Sequence, residues 1–86
     1  MNAEGSITYE PKNTQDLITF LENNKEKYHE IWIIITKKKF SNPHPVSSNE
    51  AVTLAIEQGF VDSRTKSVDE QKYKIRFTKR KKKFLI

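Results

Sequence analysis

The chain contains no cysteine, which excludes disulfides, thiol nucleophiles and thiolate metal ligands. Two glycines and three prolines are too few for a Gly-rich phosphate loop or a flexible interdomain linker. His29 and His44 stand far apart with no other ligand-type cluster around them. A zinc site needs three or four ligands, so no metal is expected, and no cofactor. No G-x-S-x-G turn is present to carry a serine nucleophile. The longest apolar run is Ile31–Ile35, whereas a membrane-spanning helix needs about 20 apolar residues. The opening MNAEGSITYEP has neither the basic start nor the apolar stretch of a secretory leader. A cytoplasmic location is the expectation.

What remains is one small basic domain, residues 1–86, with a cationic tail over 79–86. A chain this short buries only about 60–65% of its unfolded surface, which disfavours a deep catalytic cavity. Charge is unevenly distributed. Residues 1–35 carry six acids against three lysines, and residues 36–86 carry thirteen Lys/Arg against five acids. A cationic half on a small domain selects anionic partners: nucleic acid, acidic protein or acidic lipid. The plain alternative is a lysine-rich solvated surface.

Hydrophobic spacing predicts α+β architecture in the order β-α-β-α-β-β, with a mainly antiparallel sheet and two helices. Ser6–Tyr9 reads as a short strand closed by Pro11. Asn13 fits an N-cap with Asp16 three residues on, and Leu17, Ile18 and Leu21 recur at helical spacing. Ile31-Trp32-Ile33-Ile34-Ile35 is β-branched and apolar at consecutive positions, as in a central strand covered on both faces. Ser41–Pro45 is a loop. Ser47 and Glu50 match a capping box. Ala51, Leu54, Ala55 and Gln58 then share a helical face, and Gly59 occupies a helix-ending position. Phe60–Ser67 and Lys72–Lys79 read as a hairpin. In its second strand Tyr73, Ile75 and Phe77 alternate with Lys72, Lys74 and Arg76. The expected core is Trp32, Ile33, Leu54, Ile75 and Phe77.

No constellation points to catalysis. Asp62 follows a glycine, but a lone carboxylate is weak grounds for chemistry. With a loop over 67–71, Asp62 falls opposite Arg76, and a cross-strand ion pair is the expected role. The candidate surface is cationic instead: Arg64, Lys66, Lys72, Lys74 and Arg76 on one hairpin face, extended by Arg80, Lys81, Lys82 and Lys83. Such a ladder neutralises phosphates with little regard to sequence. Because the hairpin aromatics alternate to the other face, no base stacking is expected there. The tail KRKKKFLI allows two further roles, a contact with an anionic membrane surface or an added strand packing Phe84 and Ile86 onto the sheet.

Several of these segments resemble the YdeI/OmpD-associated (bacteriocin-protection) family. Glu30-Ile31-Trp32 with Lys37-Lys38 is similar to its ELW-type strand ending in lysines. Glu50-Ala51-Val52, Ala55-Ile56 and Gly59-Phe60-Val61-Asp62-Ser63 resemble its EAV..AL..GWIDG segment. Val68-Asp69 with Tyr73, and Arg76-Phe77-Thr78-Lys79-Arg80, follow its LD...Y turn and RF.PR run. The likeness spans residues 14–81. Phe60, Ser63 and Lys79 stand where the family has Trp, Gly and Pro, and the longer members' C-terminal extension has no counterpart. The resemblance implies an α+β fold, a link to stress or antimicrobial-peptide resistance, and no defining enzymatic activity. A non-enzymatic binding module for nucleic acid or another polyanion is therefore expected. A protein–protein or homo-oligomerisation module, or a remnant of a larger enzyme-like protein, is the alternative.

Overall fold

The computed structural model describes residues 4–37 and 46–79. The Ser41–Pro45 loop, His44, the tail residues Arg80, Lys81, Lys82 and Lys83, and Phe84–Ile86 lie outside the described residues. The elements are β1 (Glu4–Tyr9), α1 (Thr14–Asn24), β2 (Tyr28–Thr36), α2 (Ser48–Glu57), β3 (Phe60–Ser67) and β4 (Lys72–Lys79). They form a small α+β domain in the expected order. The four strands make one mixed sheet, β1-β2-β4-β3. β1 runs parallel to β2, which requires the α1 crossover, and the other two pairings are antiparallel.

Local chemistry explains where the helices begin and end. Asn13 Oδ1 accepts the Asp16 backbone N–H at 2.7 Å, filling one of the donors that a helix start leaves open. The Asp16 carboxylate accepts the Lys12 N–H at 2.8 Å and the Tyr9 hydroxyl at 2.8 Å and 2.9 Å. Those bonds, the Lys12 N–H first and the Tyr9 hydroxyl next, hold its acidity below the ordinary carboxylate value. The Tyr9 ring stacks on Phe20 with centroids 4.1 Å apart, so β1 is tied to α1 by one aromatic pair and one charged cap. α2 opens on a complete capping box: Ser47 Oγ accepts from the Glu50 N–H, and Glu50 Oε1 accepts from the Ser47 N–H, both at 3.1 Å. It ends at Gly59, whose φ of +93° is the sole positive value among the described residues.

Both helices cover the same side of the sheet. Leu17, Phe20 and Leu21 from α1 and Ala51 and Ala55 from α2 form one buried cluster with Ile31, Ile33, Ile35, Val46, Phe60, Ile75 and Phe77. The two alanines are 1% exposed, and their small volume lets α2 lie close to the strands. β2 is therefore dry on one face alone, which corrects the expectation of two-sided cover. Ile31, Ile33 and Ile35 point to the helices, while Trp32 and Ile34 lie half-buried on the open face. Trp32 is not part of the core, and Leu54 packs half-buried at its margin. A β-branched run specifies extended backbone and says nothing about how many layers cover it.

Gly59 supplies a test of the α2–β3 junction. A Cβ there would meet no atom within 4 Å, so the penalty for Gly59→Ala is backbone strain alone. The expected loss is about 1–2 kcal/mol of unfolding free energy, with Gly59→Asn losing less because asparagine tolerates the left-handed region. Chemical denaturation of the three proteins reads this directly.

Candidate functional site

The uncovered sheet face carries the hairpin cations. β4 sets the pattern: Ile75 and Phe77 are buried, so Lys72, Lys74 and Arg76 project the other way. Arg64 stands opposite Arg76, and Lys66 opposite Lys74, which brings both β3 cations onto the same face. Across β2, Trp32 pairs with Arg76 and Ile34 with Lys74. Five of the nine expected residues, Arg64, Lys66, Lys72, Lys74 and Arg76, thus converge on one surface; the remaining four belong to the tail outside the described residues.

Phe60, Arg64 and Lys66 have the same parity along β3, and unbroken alternation would place all three on one side. A register shift between Asp62 and Arg64 prevents this. The extra residue, Ser63, makes a bulge, so that Phe60 faces the helices and is fully buried while Arg64 and Lys66 face outward.

The register at the hairpin tip, together with this bulge, overturns the expected Asp62–Arg76 pair. Ser67 stands opposite Tyr73 and Lys66 opposite Lys74, a register two residues away from that of a 67–71 loop; the bulge takes back one, and Asp62 falls opposite Phe77. The Val68–Gln71 turn is held by Asp69 Oδ1, which accepts the Gln71 and Lys72 N–H groups at 2.8 Å and 2.9 Å. Arg76 instead reaches across to β2. Its Nη2 lies 3.1 Å from Glu30 Oε1, and its Nη1 donates to Ser63 Oγ at 3.0 Å.

Glu30 is the organising acid of this face. Its second oxygen, Oε2, accepts the Trp32 indole N–H at 2.7 Å, so one carboxylate fixes both the guanidinium and the indole. The Arg76 bond, and after it the indole N–H, outweigh desolvation and keep the Glu30 carboxyl below its ordinary value. At the sheet end, Lys72 Nζ pairs with Glu10 at 2.9 Å, and that bond holds the ammonium above its ordinary value. Lys74 Nζ sits over the Trp32 ring, 4.7 Å from its centroid. Among the described residues no carboxylate lies within ion-pair distance of Arg64, Lys66 or Lys74.

The result is an open concavity of about 440 Å³ lined by Trp32, Arg64, Thr65, Lys66 and Arg76. An aromatic ring therefore does lie among the cations, contrary to the expectation from hairpin alternation. The hairpin itself sends no aromatic to this face; Trp32 arrives from β2, where the apolar residues flanking it conceal its place in the sequence. A different hollow of about 310 Å³, between the start of α1 and α2, is lined by Thr14, Asn49, Glu50, Thr53 and Leu54 and carries no cation. Among the described residues no group of three or more His, Asp or Glu side chains could hold a metal ion. No helix among them is long and apolar enough to cross a membrane.

Residues 9–84 match the model of a family described as Domain of unknown function (DUF8412). No curated protein matches the chain.

Two outcomes follow from this geometry. Because the Glu30 value in the folded state lies below the unfolded value of about 4.3, its contribution is complete above that pH and fades as pH falls through the folded value. Glu30→Gln is thus expected to destabilise the protein at pH 7 and to differ progressively less from the parent as the pH is lowered below the unfolded value in urea titrations. Asp62 is exposed and has no partner among the described residues, so Asp62→Asn should change stability by less than about 0.5 kcal/mol. A clear drop in melting temperature would restore a structural role for Asp62.

Proposed function

The chain belongs to the DUF8412 family, whose function is unknown, so its role is read from its own surface; we propose a small non-enzymatic module that binds phosphate-bearing polyanions, nucleic acid foremost, through the open sheet face. The observation that carries this is the pairing of like charges. Arg64 faces Arg76 and Lys66 faces Lys74 directly across the β3–β4 ladder. Like charges at directly opposed positions destabilise a sheet, and a local rule broken without local compensation is characteristic of a functional surface. Only the Arg76 guanidinium of these four has an acidic partner among the described residues. Phosphates arriving from outside would supply the missing countercharge.

Shape supports the same reading. The face holds an open concavity rather than a closed pocket, which suits a chain passing over it. Pairing through the free edge of β3 is a poorer fit, since Asp62, Arg64, Lys66 and the Ser63 bulge are features that discourage edge-to-edge association. The likeness of residues 14–81 to YdeI/OmpD-associated proteins is retained within this proposal. It adds a possible stress or antimicrobial-peptide-resistance setting, and the cytoplasm as the location, where nucleic acid is the abundant polyanion.

The test is fluorescence anisotropy with a labelled oligonucleotide of random sequence over a range of salt concentrations. Affinity should fall linearly on a log–log plot, with a slope of roughly −0.7 per contacted phosphate on a single strand or −0.9 on a duplex. Replacing Arg64, Lys66 or Lys74 singly by alanine should reduce the slope by about one contact each, uniformly across sequences. Affinity insensitive to salt, or unchanged in the Arg64→Ala/Lys66→Ala double variant, would refute this role for the face.

A further inference from the structure

The geometry points to a base-stacking site on this face: we propose that it takes single-stranded nucleic acid, with one unpaired base laid on the Trp32 indole. This rests on the polyanion reading and narrows its ligand.

Trp32 is held for such a role. The indole N–H is fixed by Glu30 Oε2 at 2.7 Å, which sets the ring's orientation from its polar edge. Glu30 is itself anchored by Arg76. The ring belongs to the open face, outside the buried cluster, so no hydrophobic packing requires it there. A tryptophan half-exposed on a sheet surface, pinned at one edge and bordered by Arg64, Lys66 and Arg76 in one concavity, combines a flat apolar platform with cations for the adjoining phosphates. Those are the two components from which sequence-tolerant single-strand sites are built.

Lys74 marks the accessible side of the platform. Its ammonium lies over the ring at 4.7 Å from the centroid, so that side of the indole is covered by a flexible side chain and not by the fold. An exposed cation–π contact is weaker than a base–aromatic stack. An incoming base can therefore replace the ammonium, and the released lysine then stands beside the backbone phosphates. The interior of a duplex cannot make this exchange without unpairing, because both faces of its bases are already stacked. It is left with the phosphate contacts alone.

Trp32 is the single tryptophan of the chain, so intrinsic fluorescence reports on this ring and on no other. The experiment titrates the intact protein with three probes of equal length, about a dozen nucleotides: an oligothymidylate, an abasic oligomer with the same number of phosphates, and a duplex. The oligothymidylate is expected to quench the emission strongly and to bind about five- to one-hundred-fold tighter than the abasic oligomer. Trp32→Ala should remove the difference between the oligothymidylate and the abasic oligomer, while Trp32→Phe retains part of it. Thermal melts establish that both variants fold. Equal affinity for the oligothymidylate and the abasic oligomer, without quenching, would overturn the stacking site and leave the polyanion reading intact. So would tighter binding of the duplex. Failure of all three probes to bind at low salt would overturn both.

Discussion

One-sided burial of β2 is the constraint on which the rest of the molecule depends. With α1 and α2 on the same face of the sheet, Ile31, Ile33 and Ile35 lie within the core and are no more than 2% exposed. The intervening residues are then left to solvent. A sheet packed on one face only must alternate, and β4 does so with apolar residues inward and cations outward. The concentration of charge on the other face follows from this layering. Had a second layer of helices covered the sheet, the lysines and arginines of the hairpin could not have been accommodated, since unpaired buried charges carry a heavy desolvation cost.

Within that frame, Glu30 joins stability to surface chemistry. It is half-buried on the open face, and its two oxygens address different residues, Arg76 on the neighbouring strand and Trp32 two positions further along its own. In an otherwise cationic neighbourhood a single carboxylate offsets one guanidinium and gives the indole a defined direction. Among the described residues, Arg64, Lys66 and Lys74 keep their charge without an acidic partner. A more acidic face would neutralise itself, and one without Glu30 would hold Arg76 and Trp32 less firmly.

Much of the architecture was legible in the residues. Element order, both helix caps, the helix-ending Gly59 and the bounds of β3 and β4 follow from short-range rules, in which a residue's neighbours decide its conformation. What could not be read were quantities set over longer distances. The number of layers over β2 depends on where α1 and α2 come to rest, and Ile31–Ile35 reads the same under either outcome. A tryptophan within such a run therefore reads as core, although Trp32 lies outside it. The face of β3 was legible near the tip, where Arg64 and Lys66 follow from alternation away from the turn, although their partners on β4 lie two residues from those a 67–71 loop gives. Beyond Ser63 the face is not legible, because no glycine or proline signals the bulge, and simple alternation puts Asp62 on the side opposite to its observed one. The candidate surface was thus recognisable as a row of cations, whereas its aromatic member and its acid clamp belong to a strand distant in sequence.

The bulge also divides the hairpin into two regimes. Inside it, Phe60 is locked into the core; outside it, the run Asp62–Ser67 is exposed at every position. Evolution can rewrite that outer segment without repacking a single buried side chain, provided its pairing with β4 persists. Substitutions should then be tolerated there while the scaffold stays constant, and the hairpin tip becomes the natural place to graft a foreign segment.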